Sequence, residues 1–99
     1  MHFLLFYTYV PDYLERRGAL RSEHLALAWQ AEERGELVLG GVLTEPTDTG
    51  VLFFQADSRA VVEAFVAADP YVQQGLVAQW SIRPWHTVVG EDATQPVRA

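Results

Sequence analysis

From His2 to Val10 the chain is almost continuously apolar and aromatic, and the run stops at Pro11-Asp12. Such a run, apolar at both odd and even positions, reads as a central strand covered on both faces. Any fold for this sequence must therefore supply two covers. The segments that follow supply the first. Leu20, His24, Leu27, Ala28 and Ala31 recur at spacings of three and four, which predicts a helix over Leu20–Arg34, closed by Gly35 in the left-handed region. A second helix is predicted from Arg59 to about Ala67, with Ser58 as N-cap and Val61, Val62, Phe65 and Val66 as its apolar face.

The remaining segments read as strands and punctuation. Tyr13 to Gly18 is a polar connector. Leu37 to Thr44 is a second strand with Gly40-Gly41 in its middle, and Val51 to Ala56 is a third. Between them Glu45–Gly50 is dense in turn-forming residues and reads as a hairpin loop. Asp69-Pro70 opens a single helical turn to Gln74, stopped by Gly75. Leu76 to Val89 is the last strand, and Pro84 within it predicts an edge position or a bulge. The order is β-α-β-β-α-β, an α+β ferredoxin-like arrangement with an antiparallel sheet and two helices on one face. At 99 residues there is room for one core only, a domain over 1–89 with a polar tail over 90–99 that adds nothing to it and is expected to fray. The second cover is still missing. The first strand is apolar on both faces and the fourth carries Trp80, Ile82 and Trp85, while two short helices cover one face. A second copy of the chain, sheet against sheet, is the expected remedy, so a homodimer is predicted.

Composition excludes several function classes. The formal net charge is -6, and the basic residues are arginines scattered along the chain apart from Arg16-Arg17, so nucleic acid is not an expected partner. Without cysteine there is no disulfide, thiolate catalysis or Cys-type metal site. His2, His24 and His86 show no metal-ligand spacing, and no metal or cofactor is expected. The apolar N-terminus lacks a positive leader region and is too short to span a bilayer, so a cytoplasmic protein without membrane attachment is expected.

Topology then decides which loops can meet. In a βαββαβ fold the start of the first long helix, the hairpin after the second strand and the end of the second long helix gather at one end of the domain. Arg21 and His24 are thereby expected beside the Glu45–Gly50 loop and the Asp69–Gly75 segment. An imidazole accepts a proton readily near neutrality, its ordinary pKa being about 6.5. A carboxylate on its far nitrogen would fix the tautomer, and Asp69 is the candidate. Both residues also have ordinary readings: His24 as a hydrogen-bonded core residue, and Asp69 as the N-cap before Pro70. Arg21, one turn before His24, would hold an anionic substrate or else be solvated. Gly41, with Gly40, would admit a ligand close to the backbone or mark a bulge. Tyr7, Tyr9 and Tyr71 read as core or interface aromatics with polar tips, and Tyr71 is in addition a candidate substrate contact.

Taken together, Arg21-Ser22-Glu23-His24-Leu25, Gly40-Gly41, and Ala68-Asp69-Pro70-Tyr71 followed by Gly75-Leu76 resemble the YCII-related family, over Met1 to about Val88. The resemblance implies a dimeric α+β barrel of ferredoxin-like subunits and a His–Asp site in a cleft, which falls on His24 and Asp69, with Arg21 as the arginine preceding that histidine. It also implies relatives similar to a dehydrochlorinase of hydroxylated aromatic rings, to muconolactone isomerases and to cofactor-free monooxygenases. The leading expectation is a cofactor-independent small-molecule enzyme. His24, oriented by Asp69, would take a proton from a small cyclic or aromatic substrate, giving isomerisation or elimination. The alternatives are a non-catalytic metabolite-binding or accessory dimeric module, and a haem- or oxygen-dependent relative that uses His24 differently.

Overall fold

A computed structural model describes residues 1–98. The elements follow in the order β1 (His2–Tyr9), α1 (Tyr13–Arg16), a 3-10 turn (Arg17–Ala19), α2 (Arg21–Glu33), β2 (Leu37–Leu43), β3 (Thr49–Gln55), α3 (Arg59–Ala68), α4 (Pro70–Gln73) and β4 (Val77–Trp85). The four strands form one antiparallel sheet in the order β2-β3-β1-β4. This is the expected ferredoxin-like topology. It places the most apolar strand, β1, inside the sheet and β4 at an edge, the position in which a strand tolerates a proline such as Pro84.

Strand parity sorts the side chains between the two faces. Phe3, Leu5, Tyr7 and Tyr9 of β1 are buried under the helices, with Leu52 and Phe54 of β3 and Ile82 of β4. Val62, Phe65 and Val66 of α3 and Ala31 of α2 close this core from above. Phe65 meets Phe54 edge-on at 5.2 Å between ring centroids. Burying each large apolar side chain of this set contributes about 1.5–3 kcal/mol.

The opposite parity faces away from the helices. The register aligns Leu39, Phe53, Leu4 and Arg83 in one row across the sheet, and Gly41, Val51, Phe6 and Ser81 in the next. Leu39 is 72% and Leu43 53% exposed, so this face is apolar and open in a single chain. Of the three large side chains expected to load the last strand, only Trp85 lies here. Trp80 and Ile82 pair with Tyr7 and Leu5 and therefore belong to the helix side.

Four local expectations change. The connector after β1 is a turn of helix followed by a 3-10 turn, because Tyr13 is buried and stacks on Tyr9 at 3.8 Å. Ser58 takes the extended backbone of an N-cap, but its side chain makes no capping bond. Gly50 sits within β3 rather than in the hairpin loop. The segment after β4 is tied back rather than frayed: the Thr94 and Gln95 amides donate to Thr87, and the Val97 amide donates to the Val88 carbonyl. Thr87 is itself buried against His2 through a 2.9 Å bond between their Oγ1 and Nδ1 atoms. Among the described residues, no helix is long and apolar enough to cross a membrane.

Candidate functional site

Asp69 is the hub of the site. The α3 helix ends there because Pro70 biases its predecessor away from helical geometry, and Asp69 sits in extended backbone at φ -76, ψ 120. Its side chain turns back to cap the next helical turn, with Oδ1 accepting from the Tyr71 amide at 3.0 Å. The cap reading of the sequence therefore holds, and it accounts for part of the carboxylate only. The Tyr7 hydroxyl donates to Oδ2 at 2.8 Å, and His24 Nδ1 lies 2.9 and 3.0 Å from the two oxygens. Asp69 is fully buried, so this convergence of donors is what makes its place in the core tolerable.

His24 and Asp69, 45 residues apart in sequence, are thus brought together. A carboxylate only accepts hydrogen bonds, so the shared proton sits on His24 Nδ1 and the Nε2 lone pair is left for other work. The ring is held flat by Tyr71, stacked at 3.8 Å with 5° between the planes. The His24 side chain retains 12% exposure, and His24 lines a cavity of about 410 Å3. This volume falls within the range of small-molecule sites. His24 is therefore neither sealed in the core nor loose on the surface.

The cavity lies between α2 and the edge of the sheet formed by β2. Arg21 is on its wall as the sequence suggested, and so are Gly40, Gly41 and Tyr71. A Cβ on Gly41 would meet nothing within 4 Å, and one on Gly40 would make ordinary contact with Leu52, so neither position is glycine for want of space in this chain. The Glu45–Gly50 loop does not line the cavity; residues of β2 from Leu37 to Val42 take its place. The one glycine that a close approach demands is Gly50, whose Cβ would collide with the Tyr9 hydroxyl.

Sequence reasoning missed several residues of this site. Tyr7 read as a core aromatic and is the second side-chain donor to Asp69. Tyr13 and Arg17 fell in what read as a connector, yet both line the cavity, with the Arg17 guanidinium 5.5 Å from the Tyr13 ring centroid. Leu25 and Trp29 lie off the buried stripe of α2, and Trp29, 63% exposed, forms the outer wall. Parity along β1 was the available signal for Tyr7, since Phe3, Leu5, Tyr7 and Tyr9 alternate onto one face.

Tyr7, Tyr9 and Tyr71 are biased toward the neutral phenol. Burial pushes the Tyr71 hydroxyl up to about 12, with Tyr13 adding to the shift while Arg21 and Arg17 oppose it. Burial first, and then the charge and hydrogen bond of Asp69, raises Tyr7 well beyond the ordinary phenol range. Tyr9 is likewise raised, by burial and then by Tyr13. A protonated Tyr7 is the form that can donate to Asp69, so burial and hydrogen bonding reinforce each other. Among the described residues, no group of three His, Asp, Glu or Cys side chains is arranged to hold a metal ion.

A family model of the YCII-related domain matches residues 1–86. An uncharacterised protein of Haemophilus influenzae is 27% identical over 97 residues, covering 89% of this chain and 99% of that protein. The YciI protein of Escherichia coli is 29% identical over 86 residues, 78% of this chain and 88% of the relative. Among solved structures, the 5-chloro-2-hydroxyhydroquinone dehydrochlorinase of Burkholderia phenoliruptrix, in complex with 2,5-dihydroxybenzoquinone, superposes with a TM-score of 0.75 at 24% identity, covering 88% of this chain and 95% of that one. A NIPSNAP family protein of Agrobacterium tumefaciens superposes with a TM-score of 0.57 at 17% identity, covering 94% and 95%. At these identities the structural likeness establishes the shared fold.

Proposed function

The chain belongs to the YCII-related family, and on that premise we propose that it is a small-molecule enzyme using His24 and Asp69 for proton abstraction. The observation that carries the reading is the His24 Nδ1 contact of 2.9 Å with a fully buried Asp69, in a residue that lines a cavity. With Nδ1 committed, Nε2 is the base. It removes a proton from an acidic carbon or hydroxyl of a small cyclic or aromatic substrate lying in the cavity. Asp69 stabilises the imidazolium that results. The electron pair released on carbon is held as an oxyanion near Arg21. From there it either expels a leaving group, completing an elimination, or recaptures the proton at another carbon, completing an isomerisation. The atoms and electrons of both outcomes balance within substrate and His24, and no cofactor is required. The planar ring bound by the dehydrochlorinase of the same fold supports a substrate of this size and shape.

The same proposal includes a homodimer formed through the open sheet face. The supporting observation is the row of exposed Leu39 and Leu43 beside Phe53 and Trp85, a patch that water would otherwise cover at a cost. Light scattering at micromolar concentration should give twice the chain mass of 11.1 kDa, and a monomeric mass would contradict it. The catalytic reading is tested with a panel of lactones and halogenated phenols against the wild type and His24→Ala. Loss of turnover in the variant is expected, and equal turnover in both removes His24 from the mechanism.

A further inference from the structure

In this acidic chain, cations that face a cavity without a carboxylate partner stand out. Arg16 pairs with Asp12, and Arg34 with Glu36. Arg17 and Arg21 have no such partner among the described residues, and both line the cavity that holds His24. Arg17 is half-buried, with its guanidinium over the face of Tyr13, which fixes its direction and leaves its donors for something else. The one acidic side chain on the wall outside the His24 network, Glu32, is eleven residues along α2 from Arg21, about 16 Å at the rise of a helix. The cavity therefore has a cationic end beside His24 and Tyr71 and an acidic end beside Trp29. Between them its walls are aromatic and aliphatic.

We propose that the substrate of this site is a planar ring acid: a ring that carries an anionic group, held by Arg17 and Arg21 at the cationic end. This rests on the reading of the cavity as a substrate site and adds the chemical class that it takes. Arginine suits the task because its planar fork matches a carboxylate and stacks on aromatic faces at the same time. Arg17 is a substrate-binding residue in this account, with Arg21 as its partner. The ring itself lies among Tyr13, Tyr71 and Leu25.

The test compares 2,5-dihydroxybenzoate with its neutral amide, 2,5-dihydroxybenzamide, titrated into the full chain and followed by NMR or calorimetry. A charge-assisted pair predicts that the acid binds at least about tenfold more tightly than the amide. Arg17→Gln should remove most of that preference, and Arg17→Lys should restore part of it. Added salt should weaken the acid and leave the amide unchanged. Equal affinity of acid and amide, an undiminished preference in Arg17→Gln, or no binding of the acid at millimolar concentration would each overturn the proposal. His24→Ala separates this inference from the catalytic one: it should keep the preference for the acid while losing turnover. A His24→Ala variant that keeps both turnover and the preference would sink the catalytic reading and leave the binding one standing.

Discussion

Replacing Asp69 with alanine distinguishes a residue that caps a helical turn from one that organises a site. A cap alone contributes about 1 kcal/mol. In the structure the same carboxylate also satisfies the Tyr7 hydroxyl at 2.8 Å, and stranding a buried hydroxyl costs about 2 kcal/mol more. Asp69→Ala should therefore destabilise the fold by about 3 kcal/mol, a drop in Tm of about 12–24 °C for a domain of this size. Tyr7→Phe, which removes one bond to a charged acceptor, should cost about 2 kcal/mol. The two losses should not add. Once Asp69 is gone, removing the orphaned Tyr7 hydroxyl relieves a penalty, so the double variant should fall below the about 3 kcal/mol of Asp69→Ala instead of reaching about 5. Urea unfolding of the wild type, both single variants and the double variant at one protein concentration closes the cycle. Additivity within about 0.5 kcal/mol, or a cost for Asp69→Ala of only about 1 kcal/mol, would refute the network and leave a simple cap.

Two further outcomes follow from the packing around this hub. Gly50→Ala drives a methyl group against the Tyr9 hydroxyl and should cost about 1–3 kcal/mol by overpacking, whereas Gly41→Ala, with open space around it, should be close to neutral; thermal melts of both check the contrast. Raising the pH should destabilise the fold through its tyrosines. The folded chain keeps the Tyr71 proton up to about 12, while an unfolded phenol loses it near 10.0, so its contribution is complete below pH 10.0 and disappears as the pH rises to about 12. Tyr7 and Tyr9 are raised further and act in the same direction. The slope is about 1.4 kcal/mol per pH unit for each tyrosine held neutral. Urea unfolding stability that stays flat between pH 10 and about 11.5 would contradict it.

Much of this was legible in the sequence, and the reasons are local. The alternation of apolar periods set the order of elements, and that order brought the start of α2 and the end of α3 to one end. Hence His24 and Asp69 could be paired across 45 residues before any distance was known. Side-chain assignments that depend on register were harder. Trp80 belongs to the helix side because it pairs with Tyr7, and a register shift at Thr8/Tyr9 is invisible in a sequence that has no glycine or proline there. Arg17 was missed because two short turns over Tyr13–Ala19 carry no periodic signal, and what organises them is the stacking of Tyr13 on Tyr9. The tail was misread for a related cause. Polar composition suggested fraying, but Thr87 accepts a hydrogen bond from the Thr94 amide and meets His2 in the interior.

The central claim is that His24 is the base, and substitution at that position addresses it most directly. Initial rates for the lactone and halogenated-phenol panel should be compared between the wild type and His24→Ala, with folding of the variant verified by its melt. General-base catalysis predicts a rate lower by about 10²–10⁴-fold in His24→Ala for whichever compound the wild type converts. Equal rates in the two proteins, or no conversion of any compound by the wild type, would contradict the account.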